Sequence, residues 1–454
     1  WIGFSTGRKT EPGDRIRVKD IRMATAWDRI PGLESMSVEE YEAAEPNFDP
    51  VPEVLAEVKL PDPDLKTDHW SFQPVIRPEV PTVKNAEWVS TPVDAFIAQR
   101  QEEKGLVPAP EADMNTLIRR ISLILTGLPP EPGAAVTDLN AWSSELLTSP
   151  QYGERWGRHW LDLARYAESN GHQHNRDRPH AWRYRDYVIR SFQENKSYDQ
   201  FLREQLAGDE LPETDTDALT ATGFLAAARY SGNEMDKVIQ RNDILVDVVN
   251  TTSRTFLGLT MECSQCHDHF FDPITAWDYY RMQAIFHRGQ PGNVVLEGDA
   301  SALIEERWKI FDGVRARREK EMRANGVPEP VLVIPTSVVK SMRPHERKRF
   351  DELEAEIANF PQAWAWYSPI TSPHKGVDIA PHEMRWPLQR EPEVLAQREV
   401  YYLSRGDVGS PGPVVKPAWP QVMGATPDDI EERPRLAFAN WLASGDNPLT
   451  ARVW

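Results

Sequence analysis

The only two cysteines of this 454-residue chain lie three positions apart, at Cys263 and Cys266, and His267 directly follows the second one. This C-x-x-C-H spacing is the attachment pattern of c-type haem, in which two thiols bond to the two vinyl groups of a porphyrin. A short helical turn brings residues three and four apart onto one face, so the imidazole of His267 is expected beside both thiols. The sequence therefore predicts one covalent haem c, with His267 as the proximal ligand of its iron.

Two other kinds of site use closely spaced cysteines, and both stay alternatives for this window. A thioredoxin-type redox pair shares the C-x-x-C spacing, but it opens a helix after a strand, whereas Cys263 follows a long helical pattern at 234–260. A structural zinc site needs a second pair of ligands, and the chain has no further cysteine. The histidine directly after the second cysteine favours haem over both alternatives.

Composition narrows the classes of protein to which the chain can belong. Its length predicts more than one folding unit, with a core that needs no disulfide. The formal net charge of −18 argues against binding to nucleic acid or to anionic membrane surfaces, which attract Lys and Arg. No apolar run is long enough for a transmembrane helix, and residues 1–14 do not resemble a signal peptide. We expect both ends to be cut, with an export signal removed before residue 1 and more protein after residue 454.

Helical periodicity dominates the chain up to residue 290. Thr91 is placed as an N-cap before Pro92, and Gly127 with Pro129 marks the end of a later helix. These signals and the spacing of apolar residues predict helices over 91–105, 111–130, 149–169, 180–196, 198–211, 234–260 and 277–288. The fold class that we predict is mainly α, an irregular multi-helix domain that carries one c-type haem.

The pattern changes after residue 290. Residues 302–322 and 344–360 are highly charged with few apolar positions, which predicts a charged helical hairpin or a pair of solvated surface helices. Residues 398–422 have strand-like composition and a turn signal at Arg405-Gly406-Asp407, which predicts a small β-containing C-terminal unit. The predicted organisation is an N-terminal extension at 1–66, the haem-bearing helical domain at 67–290, the charged hairpin at 291–360, and a Pro/Trp-rich region with the start of a truncated second domain at 361–454.

Several stretches between about His69 and about Gly289 all resemble the same known family. They are HWSFQPVIRPEVP, LIRRISLILTGLPP, YGERWGRHWLDLARYAESNG, AWRYRDYVIRSFQENKSYDQFLREQLAGDEL and TFLGLTMECSQCHDHFFDPITAWDYY. Together they resemble the planctomycete-type cytochrome c-associated domain of unknown function, whose members carry the C-x-x-C-H-D-H-x-F-D-P block. YYLSRGDVGSPGPVVKPAWPQV and RLAFANWLASGDNPLTARVW are similar to the opening of the domain that commonly follows it. The resemblance implies haem, export and further cytochrome-like modules, and it implies no particular reaction.

The ligand on the second face of the iron is less well defined by the sequence. His172, His174 and His180 form a polar loop that is either solvated or the source of a distal ligand, and His174 is the candidate that we choose. His159 lies on a predicted apolar helix face, as a core histidine or as a ligand. An open sixth coordination position is a further alternative, and it would allow ligand binding or catalysis.

Polar side chains around the motif are candidates for the surroundings of the haem. We expect His269, Asp268, Arg165 and Tyr166 near the haem propionates or a substrate, because arginine forks match carboxylates. A set of carboxylates close to the motif in sequence could also hold Ca²⁺, which prefers oxygen ligands, or could serve as helix caps and ion pairs. These carboxylates are Asp243, Asp247, Asp268, Asp272 and Asp278.

Three functions fit the sequence. The first is an exported mono-haem cytochrome module, in the periplasm or at the cell surface, that passes electrons to a redox partner protein or to other cytochrome modules. The second is a haem c-dependent oxidoreductase that acts on a carbohydrate-like substrate such as a polysaccharide. The third is a binding or scaffold protein in which the haem is a structural staple. Covalent haem attachment takes place outside the cytoplasm, so the motif itself favours export.

Overall fold

Helices predominate in the computed structural model, which describes residues 66–170, 177–229, 237–328, 331, 333, 335–368, 377–378 and 398–453. Nearly all of the predicted N-terminal extension lies outside these residues. In the described part of the chain, every helix is too short or too polar to cross a bilayer. The fold is therefore mainly α, as predicted, with two small sheets added to it.

Each helix predicted before residue 290 has a counterpart in the structure. The helices there are α1 (Pro92–Glu103), α2 (Met114–Thr126), α3 (Leu139–Leu147), α4 (Pro150–Leu163), α5 (Trp182–Gln193), α6 (Tyr198–Ala207), α7 (Thr216–Ala221), α8 (Gly223–Ala226), α9 (Lys237–Thr252) and α10 (Ala276–Phe286). Three of these helices, α3, α7 and α8, were not predicted. The side chain of Thr91 caps α1, and Gly127 ends α2 with a φ of 73°, as the capping signals predicted. Helix α9 continues into a π turn, Ser253–Leu257, which ends at Gly258.

Aromatic side chains fill the centre of this helical domain. Trp160 from α4 packs edge-on against Phe201 from α6, with ring centroids 4.7 Å apart. Phe224 from α8 and Phe256 from the π turn lie 5.2 Å apart in the same cluster, and all four side chains are buried. Such edge-to-face pairs add to the stability that comes from burial of apolar surface. The core therefore fixes the π turn that leads into the cysteine motif.

The charged hairpin connects two buried, paired strands, from the end of the first to the start of the second. Strand β1 (Gln290–Val295) pairs antiparallel with β2 (Gln362–Tyr367), and Val295 lies opposite Gln362 at the base of the hairpin. A short strand, β3 (Val377–Asp378), pairs with the other edge of β1. The sequence analysis did not predict β1 and β2, because strands buried on both faces lack an alternating polar pattern.

The hairpin has a hydrophobic core of its own. It consists of α11 (Ser301–Ala324), α12 (Pro335–Lys340) and α13 (Pro344–Ala358). Ile304, Trp308 and Phe311 of α11 pack with Phe350 and Ile357 of α13. Arginine–carboxylate pairs also join the helices, since both terminal nitrogens of Arg317 lie 2.8 Å from Glu346. The predicted hairpin is thus present, and it is more than a pair of solvated surface helices.

The C-terminal unit packs onto the helical domain. It contains a two-stranded antiparallel sheet, β4 (Val400–Leu403) and β5 (Pro411–Val415), and the helices α14 (Pro434–Leu442) and α15 (Thr450–Val453). The predicted turn lies at Ser404–Gly406, between the two strands. Trp419, Phe438 and Leu442 belong to the same buried cluster as Trp160. The described residues after 361 therefore share one core with the helical domain.

Candidate functional site

The C-x-x-C-H motif lies on a tight turn at the molecular surface. A 3₁₀ turn spans Glu262–Gln265, and the backbone N–H groups of Cys266 and His267 both donate to the carbonyl oxygen of Cys263, at 3.2 and 3.3 Å. Both thiols are free and exposed, and the side chain of His267 is also exposed. A single turn thus presents two reduced thiols and an imidazole to the outside of the protein.

The imidazole of His267 is held in one tautomer. Its Nδ1 lies 2.8 Å from the backbone carbonyl oxygen of Asp268, and a carbonyl oxygen only accepts hydrogen bonds, so Nδ1 carries the proton. The other nitrogen, Nε2, then keeps its lone pair in the neutral ring. Histidines that bind metals usually donate the remaining ring N–H to a carbonyl or carboxylate in this way. The residues present therefore fit a haem iron bound through Nε2.

Buried side chains support the turn from below. Ser264, between the two cysteines, is fully buried, and the hydroxyl of Tyr280 from α10 donates to the carbonyl oxygen of Gln265 at 2.7 Å. Burial raises the pKa of Tyr280 far above its usual value, and the nearby Cys266 raises it further. Tyr280 therefore remains a neutral hydrogen-bond donor that fixes the position of the motif.

The turn of the C-terminal sheet lies directly against the second cysteine. Gly406 has a φ of 74°, and a Cβ atom at this position would lie 2.9 Å from the Sγ atom of Cys266. Tyr402, on the strand before this turn, packs against Tyr280 with ring centroids 5.4 Å apart. Sequence reasoning did not identify Gly406 as a site residue. It predicted the turn, but nothing local in the sequence shows which distant residue a turn contacts.

Two predicted neighbours of the motif hold the loop that follows it. The Nδ1 atom of His269 accepts a hydrogen bond from the N–H of Asp272 at 2.8 Å, so the proton of that ring lies on Nε2. A carboxylate oxygen of Asp268 accepts from the N–H of Ala276 at 2.8 Å, at the start of α10. These two residues therefore have structural partners beside the motif, and His269 has its Nε2–H left as a donor.

An aromatic pair at the surface completes the loop. Phe270 and Phe271 are 84% and 86% exposed, and their rings meet edge-to-face with centroids 4.9 Å apart. Two large apolar side chains that are this exposed, a few residues from both thiols, form an uncovered apolar surface. An apolar macrocycle attached at Cys263 and Cys266 would lie close to such a surface, which is a second respect in which the residues fit a haem.

The remaining predicted site residues are spread more widely. His159 is exposed and contacts the ring of Trp156 at 5.6 Å, so the prediction that it lies on the apolar face of α4 is wrong. The neighbouring Trp160 occupies the buried face, and one residue along a helix turns the side chain by more than a quarter of a circle. The hydroxyl of Tyr166 donates to Glu168 at 2.7 Å. His174 lies outside the described residues.

The carboxylates considered for calcium have other roles in the structure. Asp247 pairs with Arg165 at 3.0 Å, and Asp278 forms a capping box with Thr275 at the start of α10. Within the residues that the structure describes, no three His, Cys, Asp or Glu side chains are grouped so that they could hold a metal ion. The same observation leaves the zinc alternative without a ligand set in the described part of the chain.

Comparisons with known proteins give one match. No curated protein and no solved structure matches the chain. A family model, PSCyt2, whose description reads "Protein of unknown function (DUF1549)", matches residues 92–290. The matched range contains the cysteine motif and Tyr280, and it ends before the hairpin and before Gly406. Residues 92–290 therefore match PSCyt2, a planctomycete cytochrome-associated domain family of unknown function.

Proposed function

We propose that this protein is an extracytoplasmic mono-haem c-type module that transfers electrons, with Cys263 and Cys266 as the attachment thiols and His267 as the proximal ligand. The observation that carries the proposal is the orientation of His267, whose Nδ1 is held by a carbonyl oxygen at 2.8 Å so that Nε2 is left for a metal. A haem bound there supplies an iron that changes oxidation state and so carries one electron. Attachment of such a haem outside the cytoplasm places the protein in the periplasm or at the cell surface.

The attachment chemistry needs no reagent beyond the thiols and the vinyl groups. In each thioether, the S–H adds across a vinyl double bond, so that an S–C bond forms and the proton goes to the other vinyl carbon. No oxidant or reductant is consumed, and both cysteines must be free and reachable, as they are in this structure. Because the motif is exposed, the bound group would lie within reach of a redox partner protein or a further cytochrome module.

The backbone around the cysteines favours haem over a thioredoxin-type redox pair. A redox cysteine gains a low pKa where it opens a helix, because the helix N-terminus stabilises the thiolate. Here the two cysteines lie on a 3₁₀ turn, and the next α-helix begins only at Ala276. The described structure therefore lacks the helix N-terminus that would activate Cys263 as a nucleophile.

The proposal is tested by measuring whether haem becomes covalently attached to the chain. When the chain is exported from a host that attaches c-type haem, we expect the wild-type protein to keep its haem chromophore through denaturing electrophoresis. The double variant Cys263→Ser/Cys266→Ser should lose it completely, whereas His267→Ala should keep the covalent haem but lose the low-spin optical spectrum. Gln265→Ala changes a motif position that no attachment bond uses, and it should behave as wild type. Wild-type protein that stays haem-free in this host would refute the proposal.

The contact between Gly406 and Cys266 gives a sharper prediction. Gly406→Ala is expected to reduce attachment through Cys266 while attachment through Cys263 continues, because the new methyl group would press on the Cys266 thiol. The left-handed backbone adds a stability cost of about 1–2 kcal/mol, which should leave the protein folded. Peptide mass spectrometry of the haem-bearing fragment measures which cysteine is bonded.

Gly409→Ala is the matched control for this prediction. Gly409 lies in the same turn region, and its Cβ would meet only Asp407, at an ordinary contact distance of 3.4 Å. This variant should attach haem through both cysteines, as the wild type does. Equal attachment in the Gly406→Ala and Gly409→Ala proteins would show that the turn does not position Cys266.

A further inference from the structure

Arg165 occupies a backbone position that normally suits glycine. It follows α4 with a φ of 58°, and the N–H of Tyr166 donates to the carbonyl oxygen of Leu161 at 3.0 Å in the hydrogen-bond pattern of a Schellman cap. A Cβ atom is unfavourable in this left-handed conformation, so Gly or Asn usually fills it. After α5 the equivalent position is indeed held by Asn195, with a φ of 52°. The use of arginine after α4 therefore calls for an explanation from its side chain.

The guanidinium group of Arg165 has hydrogen-bond donors that lack an acceptor among the described residues. Its Nε lies 3.0 Å from a carboxylate oxygen of Asp247, and its central carbon lies 5.9 Å from the ring centre of Phe224. Among the described residues, the two terminal nitrogens, Nη1 and Nη2, are buried and have no hydrogen-bond partner, and the contact of Nε with Asp247 is an ion pair without hydrogen-bond geometry. Buried donors of this kind are rare in folded proteins and usually mark a missing acceptor. The side chain still has 23% of its surface exposed, so the group lies just below the surface.

The electrostatic surroundings favour an anion at these two nitrogens. Burial lowers the pKa of Arg165, and the positive charge of Arg178 lowers it further, although Asp247 acts in the opposite direction. Asp247 is also shared, because one of its oxygens accepts from the backbone N–H of Arg229 at 3.0 Å. A second negative group would therefore relieve a buried cation that Asp247 compensates only in part.

Tyr279 of α10 contacts the helix that carries Asp247. The buried Tyr279 donates its hydroxyl to Asn250, at 3.2 Å, one turn beyond Asp247 on α9. Burial raises the pKa of Tyr279 well above its usual value, and Cys266 and Asp247 are both near enough to raise it further. One tyrosine is therefore influenced electrostatically by both the Asp247 carboxylate and Cys266.

We propose that Arg165 binds a carboxylate through Nη1 and Nη2. The planar guanidinium fork matches the two oxygens of a carboxylate, and Asp247 on the Nε edge fixes the direction of that fork. The carboxylate belongs either to a propionate of a haem on this chain or to a separate ligand such as a sugar acid. The site rests on the contacts of Arg165 itself and does not depend on the proposed haem.

The full chain, made haem-free in a host without c-type haem attachment, provides the first test. Titration with glucuronate, followed by calorimetry and by thermal unfolding, should show binding and a raised midpoint of unfolding. Arg165→Gly should bind glucuronate at least about tenfold more weakly, since charged hydrogen bonds to a carboxylate are lost. This variant leaves Asp247 without its cation, and removal of the left-handed Cβ offsets part of that cost, so its unfolding midpoint without ligand is measured alongside. Asn195→Gly makes the same backbone change at an exposed position, and it should bind like the wild type.

The haem-loaded chain separates the two sources of the carboxylate. If the haem propionate fills the site, glucuronate should bind only the haem-free protein, and Arg165→Gly should shift the optical spectrum of the loaded protein. If the ligand is a separate carboxylate, glucuronate should bind both forms equally. Absence of binding to the haem-free wild type, or equal binding by Arg165→Gly and Asn195→Gly, would overturn the proposal. The haem-free experiment gives its answer even if the chain never acquires haem.

Discussion

Replacement of Arg435 by methionine is expected to lower the free energy of unfolding by about 3–5 kcal/mol. The side chain of Arg435 is only 1% exposed, and its two terminal nitrogens bind the two carboxylate oxygens of Asp209 at 2.6 and 2.8 Å. A second carboxylate, that of Glu210, lies 3.0 Å away. Methionine fills most of the volume of the arginine side chain, but two buried carboxylates then lack their cation. An unpaired buried charge is the main cost when one partner of a buried ion pair is removed.

The loss of unfolding free energy in the Arg435→Met variant should depend on pH. Burial raises the pKa of Glu210 to about 6 in the folded protein, above the usual value of a glutamate. A group with a raised folded pKa favours the fold below its unfolded pKa, and this contribution disappears as the pH rises through about 6. Without Arg435 both carboxylates resist ionisation more strongly, so the variant should lose more stability at neutral than at mildly acidic pH. Urea unfolding on both sides of the transition measures the difference.

Two further variants distinguish this network from ordinary ion pairs. Arg347→Met removes an exposed partner of Asp351 on α13, and it should cost no more than about 0.5 kcal/mol. The triple variant Asp209→Asn/Glu210→Gln/Arg435→Met replaces all three charges with neutral groups and should regain most of the lost stability. If Arg435→Met were no more harmful than Arg347→Met, the buried network would have no special role in holding the fold.

The buried ion pairs of Arg435 with Asp209 and Glu210 join the C-terminal unit to the helical domain. Arg435 lies on α14 and Asp209 just after α6, 226 positions apart in the sequence. The C-terminal unit that α14 anchors also carries Gly406, which lies against Cys266. The cysteine motif is therefore completed by a part of the chain outside the range that matches PSCyt2. A fragment cut at residue 290 would lack this contact.

Local signals in the sequence predict local structure well. Thr91 before Pro92 and Gly127 after α2 mark helix ends that the structure shows, because capping depends on residues within one turn. The hairpin is predicted for a similar reason, since its charged helices follow a regular pattern. The spacing of the cysteine motif is local too, and the motif begins in one 3₁₀ turn that ends at Cys266.

Contacts between distant residues account for what the sequence did not predict. Nothing near Gly406 in the sequence indicates Cys266, and nothing near Arg435 indicates Asp209. His159 shows a second difficulty, because a histidine among apolar residues gives no sign of the side of the helix on which it lies. Arg165 illustrates a third, since the sequence names it as a candidate but only the backbone, with a φ of 58°, reveals its unusual position.

Replacement of Trp366 by alanine is the second change for which we expect a large effect, a loss of about 3–5 kcal/mol in the free energy of unfolding. The indole is completely buried on β2, and a methyl group at Gly289 would overlap its pyrrole edge, so the backbone at Gly289 packs closely against that edge. The guanidinium of Arg241 lies 5.7 Å above the ring. Truncation would leave a cavity at the place where β2 packs on the core of the helical domain.

The exposed Trp70 is the matched control for this cavity. Its side chain is 66% exposed, and its main contact is the guanidinium of Arg452, 5.4 Å from the ring centre. Trp70→Ala should therefore cost no more than about 1 kcal/mol, the value of an exposed cation–π contact. Thermal and urea unfolding of the two variants measures the contrast. Because the backbone of Trp366 is also bonded to the hydroxyl of Thr222 on both sides, at 3.0 and 2.9 Å, the strand should stay paired and the cavity should not collapse. A loss at Trp366 as small as that at Trp70 would mean that β2 is not part of the core on which the cysteine motif rests.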